Sequence, residues 1–441
     1  MRPDVAVVGT GPAGYATALA FTDAGAETML FESVVPATRR LAGEWLHPVG
    51  VHALERLGVD LSMVRHCRAA GFIVHPEDGS TPITLTYPKG GNGLSCHHES
   101  LVQGLRAALT QRRGGTLVRR ARIIEIAGHS LVYASGPGPA VVCRPAGWLV
   151  GAEGKASPVR RSLGIPSQLT CLSHMAGLLL EDAELPEEDY GHILMGGPGP
   201  ILMYRISPAA IRACIDVPRH GFTPGRAREY LWQAYAPWFP ASMRTAFAAA
   251  LERGELTWAA TQFRPRDHYG RGRVALVGDA VGCFHPLTAV GMTLALTDGE
   301  SLSRAGDIRA YALERTKATQ VAEMLSMALY RTFTHHDPAT TALRYAVYDM
   351  WRRSARERER TMNLLAAEET GIGQFAAAFL HAVGLAAVKP IPGTHEHDKQ
   401  TRGETGDSAG LLRGAGQWLT WLAATAGHTA AQRTALEVRG W

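Results

Sequence analysis

Apolar and polar positions change period several times along the 441 residues. Val5-Ala6-Val7-Val8 is an unbroken apolar run of strand length, and Gly9-Thr10-Gly11-Pro12-Ala13-Gly14 separates it from an alanine-rich helical pattern, Ala13 to Ala24. A second short apolar run, Thr28 to Phe31, ends in Glu32. Amphipathic spacing through Val51, Leu54 and Leu57 predicts a helix stopping at Gly58, and Phe72 to Asn92 alternates as a β-hairpin excursion would. A helix starting near His97, a strand from Thr116 to Ile126 and a hairpin through Leu131-Val132-Tyr133 and Val141-Val142 follow. Short apolar strands separated by Pro/Gly turns occupy Ser173–Leu180, His192–Met195, Ile201–Arg205 and Arg212–Val217. Helices are expected from Gly225 to Tyr235 and from Ala241 to Gly254. After the strand Arg273–Val277 the pattern is helical from Ser301 onward.

The opening pattern predicts specific chemistry. Gly9 permits a tight turn, Gly11 lets a pyrophosphate approach the backbone, and Gly14 lets the helix pack close to the strand. Ala13 opens that helix, whose N-terminal N–H groups and dipole favour phosphate, and Glu32 stands where an acid holds a ribose hydroxyl. Strand, glycines, helix, second strand and terminal acid in this order point to a dinucleotide.

The length exceeds what one hydrophobic core usually supports, so two or three domains are expected. Hydrophobic content of 46% against 19% charged residues describes a globular chain, and a net charge of +5 without a nucleic-acid motif gives no nucleic-acid partner. The six cysteines are scattered without CxxC or zinc spacing, which suits reduced thiols in a cytoplasmic protein. No secretory signal or membrane span is expected, and Phe375 to Val388 reads as a buried helix. His97 and His98 diverge on a helix and receive no metal role, and no metal site is expected elsewhere.

Several segments carry a family resemblance. Arg40-Leu41-Ala42-Gly43-Glu44-Trp45-Leu46-His47-Pro48-Val49-Gly50 resembles the squalene epoxidase segment in which an arginine three residues before a Gly-Glu pair contacts FAD. The match implies that Arg40 contacts the cofactor and that Trp45 lies by the flavin, with His47 where the family has glutamine. Ser95 to Arg106 resembles the family's His-His-Gly-Arg-Phe helix start, but its FAD-contacting arginine is Ser100 here, leaving Arg106 as a candidate replacement. By the same resemblance Ile123 lays a backbone amide against the adenine. Val150-Gly151-Ala152-Glu153-Gly154 resembles the Val-Gly-Ala-Asp-Gly motif of FAD monooxygenases, with Glu153 in place of the aspartate.

The third motif is the most specific. A strand ending in Gly278-Asp279, a proline seven residues later, a glycine five beyond it and then a helix resemble the Gly-Asp motif of the same class. The run His285-Pro286-Leu287-Thr288 followed by Gly291-Met292-Thr293 is similar to squalene epoxidases in detail. It implies that Asp279 accepts a ribose hydroxyl of FAD, that Pro286 shapes the turn, and that N–H groups at Gly291 and Met292 face the flavin pyrimidine. Ala289 and Val290 replace family glycines.

The expected fold is α/β: a Rossmann-like FAD-binding domain (1–75, 92–165 and 264–310), a mostly antiparallel β-sheet substrate domain (76–91 and 166–263) and a helical C-terminal region (311–390). A linker (391–408) and an amphipathic helix (409–441) complete it. The resemblance implies an FAD-dependent monooxygenase in which reduced flavin and O2 form a C4a-hydroperoxide that epoxidises or hydroxylates a hydrophobic alkene or aromatic substrate, isoprenoid or polyketide-like. His47 and His285 are the candidate catalytic polar groups. NAD(P)H is the implied reductant, used directly or through a separate reductase, and peripheral membrane contact through the C-terminal helix stays open. Two alternatives remain: an FAD-dependent reductase of a polyprenyl or polyene chain, and a non-catalytic flavin-fold binding protein.

Overall fold

A computed structural model describes residues 2–33, 41–220, 224–388, 416–420 and 423–424. Arg40, the 391–408 linker and most of the expected 409–441 helix lie outside the described residues.

The apolar runs with no polar alternation build the first sheet, because a strand covered on both faces has no solvent side to mark. Its six strands run in the order Gly270–Arg271, Val274–Leu276, Trp148–Gly151, Val5–Val8, Thr28–Phe31, Gly115–Val118. All pairings are parallel except the Gly270–Arg271 edge. The helix Pro12–Asp23 crosses back over this sheet, buried along nearly its whole length, and lies against the helix Gly291–Arg304. The two helices approach so closely that a β-carbon on Gly299 would sit 2.6 Å from the Thr17 amide nitrogen.

The second sheet has seven strands, in the order Thr257–Phe263, Thr170–Glu181, Ala210–Pro218, Ile201–Ser207, Tyr190–Leu194, Gly71–His75, Ile83–Thr86. It is antiparallel apart from Tyr190–Leu194 beside Gly71–His75. One face packs on Leu231, Tyr235, Phe239 and Phe247 from the helices Ala227–Tyr235 and Ala241–Arg253 and the turn between them. Next to the other face stand the C-terminal helices Ile308–Thr334, Pro338–Arg353, Ala355–Leu365 and Ile372–Val388, sharing a core with Phe72, Val74, Ile83 and Leu85.

Two local expectations need correction. The single strand over Thr116–Ile126 is two strands, because Arg120 takes a left-handed turn (φ +53) after Gly115–Val118. The continuation, Ala121–Ala127, joins a separate three-stranded sheet with Ser130–Ser135 and Val141–Cys143, so Ile123 pairs with Tyr133 there. The edge strand Thr257–Phe263 was not marked by the pattern, since its small and polar residues give no apolar stripe and Trp258 points outward. The helix Ile372–Val388 is buried on one face only: Phe375, Phe379, Ala382 and Val383 point inward, while Leu380 and Val388 are exposed. Trp418 covers the inner end, beside Phe379 and beneath the Arg331 guanidinium, which lies 4.6 Å from the indole centroid. Among the described residues no helix is long and apolar enough to cross a membrane.

The helix crossing is a tight constraint. Gly299→Ala is expected to lower unfolding stability by about 1–3 kcal/mol, since backbone rather than a flexible side chain meets the added methyl; a urea titration reads this directly.

Candidate functional site

Three loops from distant parts of the chain meet at the C-terminal ends of the parallel strands. Register brings them together: Gly9 N–H donates to the Phe31 carbonyl, Ala152 N–H to Val8, and Val277 N–H to Gly151. Contact is close enough to need glycine. At Gly9 (φ +108) a β-carbon would fall 2.5 Å from the Ala152 carbonyl oxygen, and at Gly278 (φ +59) one would fall 2.8 Å from Ala13 Cβ. A methyl on Gly14 would likewise overlap the Gly9 carbonyl.

Space above these contacts is open. Among the described residues, β-carbons built on Gly11 and Gly291 would meet nothing within 4 Å. Gly11 is the N-cap of Pro12–Asp23 and Gly291 the first residue of Gly291–Arg304, and neither helix start is capped by a side chain. Two uncapped helix N-termini therefore face open space, each with free N–H groups and a positive dipole end suited to an anion. An elongated molecule with a diphosphate at one helix and an electron-rich ring at the other fits this arrangement, and FAD has that form.

Glu32 lies at the end of the second strand, part-exposed and 3.4 Å from Arg106 Nη1. Ser100 is buried and its Oγ accepts the Arg65 N–H, so it takes no part in the open space. Glu153 turns back into its own loop: Oε2 accepts from Ser157 Oγ at 2.6 Å and Oε1 from the Val159 N–H at 3.3 Å. Burial raises its carboxyl to about 7, with the Ser157 hydrogen bond opposing. The Asp279 carboxyl is also raised by burial, against the pull of Lys155, Arg266 and Arg264.

The turn carrying Asp279 rests on residues to which the sequence pattern attached no role. Asp298 is fully buried, and its carboxylate accepts from Arg266, from Arg315 Nε at 2.7 Å and from the Gly278 N–H at 2.7 Å. Arg160, Arg264 and Arg266, all buried, donate to backbone carbonyls of the same turn.

The 41–47 segment closes one side. Met292 lies against Gly43, leaving no room there for a side chain. Glu44 is 5% exposed and forms a two-pronged pair with Arg212, at 2.7 and 2.8 Å, while also accepting from the Tyr204 hydroxyl. Trp45 is buried in the second core, stacked on Phe72 at 4.8 Å. Its indole N–H donates to the Tyr87 hydroxyl.

Both candidate histidines are buried with both ring nitrogens engaged. His47 Nε2 lies 2.8 Å from the Thr288 carbonyl, which can only accept, so the proton is on Nε2 and Nδ1 accepts from Tyr87 Oη at 2.6 Å. Burial lowers this imidazole to about 4, keeping it neutral at physiological pH. His285 Nδ1 accepts the Leu287 N–H, leaving Nε2–H facing Asp216 Oδ1 and Ser173 Oγ, each at 3.2 Å. Its ring stacks on Tyr330 at 4.5 Å. Between them the histidines grip the short turn Pro286–Thr288, which delivers the chain to Ala289 in a left-handed conformation (φ +52). Ala289 thus holds, at some cost in strain, a backbone conformation that glycine adopts freely.

Beyond this turn lies a narrow apolar cavity of about 20 Å³ between the second sheet and the C-terminal helices. Phe72, Val74, Leu85, Ile193, Leu287, Leu329, Phe333, Trp351, Thr361 and Leu365 line it. Its one polar side-chain hydroxyl, on Thr361, already accepts the Trp351 indole N–H at 2.8 Å.

Comparison with known proteins gives a consistent picture. A family model described as squalene epoxidase matches residues 146–389. Squalene epoxidase 2, mitochondrial, of Arabidopsis thaliana is 30% identical over 381 residues, covering 78% of this chain and 63% of the relative. The squalene epoxidase of Aspergillus fumigatus is 29% identical over 374 residues, covering 77% of both. Among solved structures, Klebsiella pneumoniae HpxO complexed with FAD and uric acid superposes with a TM-score of 0.66 at 20% identity, covering 82% of this chain and 97% of that one. The chain thus spans just under two thirds of the Arabidopsis relative's length.

The buried Glu153 has a consequence for stability. Its folded value exceeds that of an unfolded glutamate, so the native state holds the extra proton and this contribution is lost as pH rises from about 4.5 to about 7. Glu153→Gln should remove that slope, at most about 1.4 kcal/mol per pH unit, in thermal melts recorded across the range; parallel curves for both proteins would contradict it.

Proposed function

The chain belongs to the squalene epoxidase family, and on that premise we propose that it is an FAD-dependent monooxygenase that places one oxygen atom from O2 on a carbon–carbon double bond of a hydrophobic, isoprenoid or polyketide-like substrate. The family membership carries this reading, and the apolar lining beside the Pro286–Thr288 turn supports it. Leu287 of the turn that leads to the Gly291–Arg304 helix start forms part of the cavity wall, and among the described residues the lining offers a bound molecule no charge and no free polar side chain. Such a wall accepts a hydrocarbon chain and penalises a carboxylate or phosphate. Because the cavity is narrow, substrate entry must move the C-terminal helices or the side chains between them and the sheet.

FAD, when bound, supplies the oxygen-activating redox chemistry. The polypeptide supplies the rest. Gly11 and Ala13 would receive the diphosphate at the first helix, with Gly9 and Gly14 making the tight turn and close packing that bring it there, and Glu32 and Asp279 would each accept a ribose hydroxyl. Glu153 shapes the intervening loop, and Ile123 serves the adenine side from the small sheet. Pro286 sets the turn from which Gly291 and Met292 present their N–H groups to the electron-rich ring. Trp45 supports the cofactor loop from behind. His47 and His285 act by holding the Pro286–Thr288 turn rather than by moving protons, since both rings are fully engaged. Two electrons from NAD(P)H, delivered directly or through a separate reductase, reduce the second oxygen atom to water. The helix Ile372–Val388, which carries no Asp, Glu, Lys or Arg and has Leu380 and Val388 exposed, suits peripheral contact of a cytoplasmic protein with a membrane.

The test is isotopic. FAD-loaded protein, a reductant and a panel of lipophilic alkenes incubated under ¹⁸O2 should yield a product carrying one labelled oxygen. A saturated product without label would instead establish a reductase, and an unlabelled oxygenated product would exclude oxygen transfer from O2.

A further inference from the structure

The turn that carries Asp279 is held by an unusual set of donors. Its four consecutive carbonyls are all capped by guanidinium groups: Gly278 O by Arg266 Nη1 at 3.3 Å, Asp279 O by Arg264 Nη2 at 2.6 Å, and Ala280 O and Val281 O by Arg160 Nη1 at 3.1 and 2.8 Å. The three arginines are only 2–4% exposed. Arg264 Nη1 also reaches the Lys155 carbonyl at 3.1 Å, binding the second loop to the third. Gathering these charges is costly: burial and the nearby Arg264 together lower the Arg160 guanidinium to about 10. Among the described residues the Nε atoms of Arg264 and Arg266 have no hydrogen-bond partner. Backbone carbonyls could be satisfied by neutral donors at far lower cost, so the cluster points to a need for charge.

We propose that Arg160, Arg264 and Arg266 are positioning residues for the dinucleotide, all three fixing the Gly278–Val281 turn, with Arg264 and Arg266 also supplying, beside Lys155, the positive field that keeps the Asp279 carboxylate ready to accept a cofactor hydroxyl. The proposal rests on the reading that this site binds FAD. Asp279 is faced by Lys155 from the second loop, by Arg264 and Arg266 from the segment after Thr257–Phe263, and by Asp298 from the helix Gly291–Arg304. Burial and Asp298 favour its neutral form, while the three cations oppose them. An ionised carboxylate is the stronger acceptor. Removing one cation therefore moves the loss of cofactor affinity to higher pH.

The experiment titrates apoprotein with FAD from acid to neutral pH, following flavin fluorescence, for the parent, Arg264→Met and Arg264→Lys. Arg264→Met is expected to weaken binding at neutral pH about ten-fold or more and to shift the pH midpoint of binding upward. Arg264→Lys, which keeps the charge but not the fork joining Lys155 O to Asp279 O, should return the midpoint to the parent's while leaving affinity several-fold weaker. A folded Arg264→Met with parental affinity and midpoint would overturn the proposal. If Arg264→Met does not fold, Arg264→Lys decides: parental affinity overturns the proposal, and several-fold weaker binding at an unchanged midpoint supports it. A parent that binds no FAD at any pH would overturn the underlying reading as well.

Discussion

A carboxylate with no access to water, Asp298, must find donors inside the protein or cost several kcal/mol. It finds three, on Arg266, Arg315 and the Gly278 backbone. Those donors belong to the segment after the second sheet's edge strand, to the long helix Ile308–Thr334 and to the turn that follows the strand Val274–Leu276 of the first sheet, while Asp298 itself sits on Gly291–Arg304. One buried ionic junction thus ties both sheets' connections to the C-terminal helices. Loss of any one donor would leave part of this buried carboxylate without a hydrogen bond, so the position of the Asp279 turn is not adjustable independently of the helix whose N-terminus faces the same space. The close crossing of that helix with Pro12–Asp23 fixes the other helix end relative to it.

A second ionic contact does for the side of the apolar cavity what Asp298 does for the Asp279 turn. Glu44 and Arg212, 168 residues apart in sequence, join the loop behind the open site to the middle of the seven-stranded sheet. The chain Trp45 to Tyr87 to His47 to Thr288 then joins that loop to the Pro286–Thr288 turn. Polar interactions hold the backbone around an apolar cavity whose own walls offer no specific bonds. A site for a hydrocarbon can gain shape in this way without presenting polarity to its ligand.

Much of this was legible in the sequence, and the reason is local. The strand-glycine-helix start, the Gly151-Ala152-Glu153-Gly154 loop and the Gly278-Asp279 turn each carry their constraint within about a dozen residues, where glycine spacing and apolar runs record it. What the pattern did not reveal depends on contacts between distant segments. Nothing near Asp298 marks it as buried, and Arg264 and Arg266 sit in a run of alternating arginine and proline that resembles a surface loop. The same holds for Glu44, whose partner is on another sheet. Trp45 was expected beside the flavin, yet its ring stacks within the second core. The break at Arg120, which carries Ile123 to a separate sheet, follows from one left-handed residue between two β-forming runs. Family resemblance located the histidine positions, but only their hydrogen-bond partners distinguish a ring that grips a turn from one free to exchange protons.

The central claim is that two uncapped helix starts and the Asp279 turn form one rigid receptacle for a dinucleotide flavin. The direct measurement is the stoichiometry of flavin binding: titrate the purified apoprotein with FAD, remove free ligand, and determine bound flavin by absorbance and by chromatography after denaturation. The account predicts one FAD per chain, released intact on unfolding, and much weaker binding of riboflavin, which lacks the diphosphate and adenosine that the first helix and Glu32 receive. No bound FAD, or equal affinity for riboflavin, would contradict it.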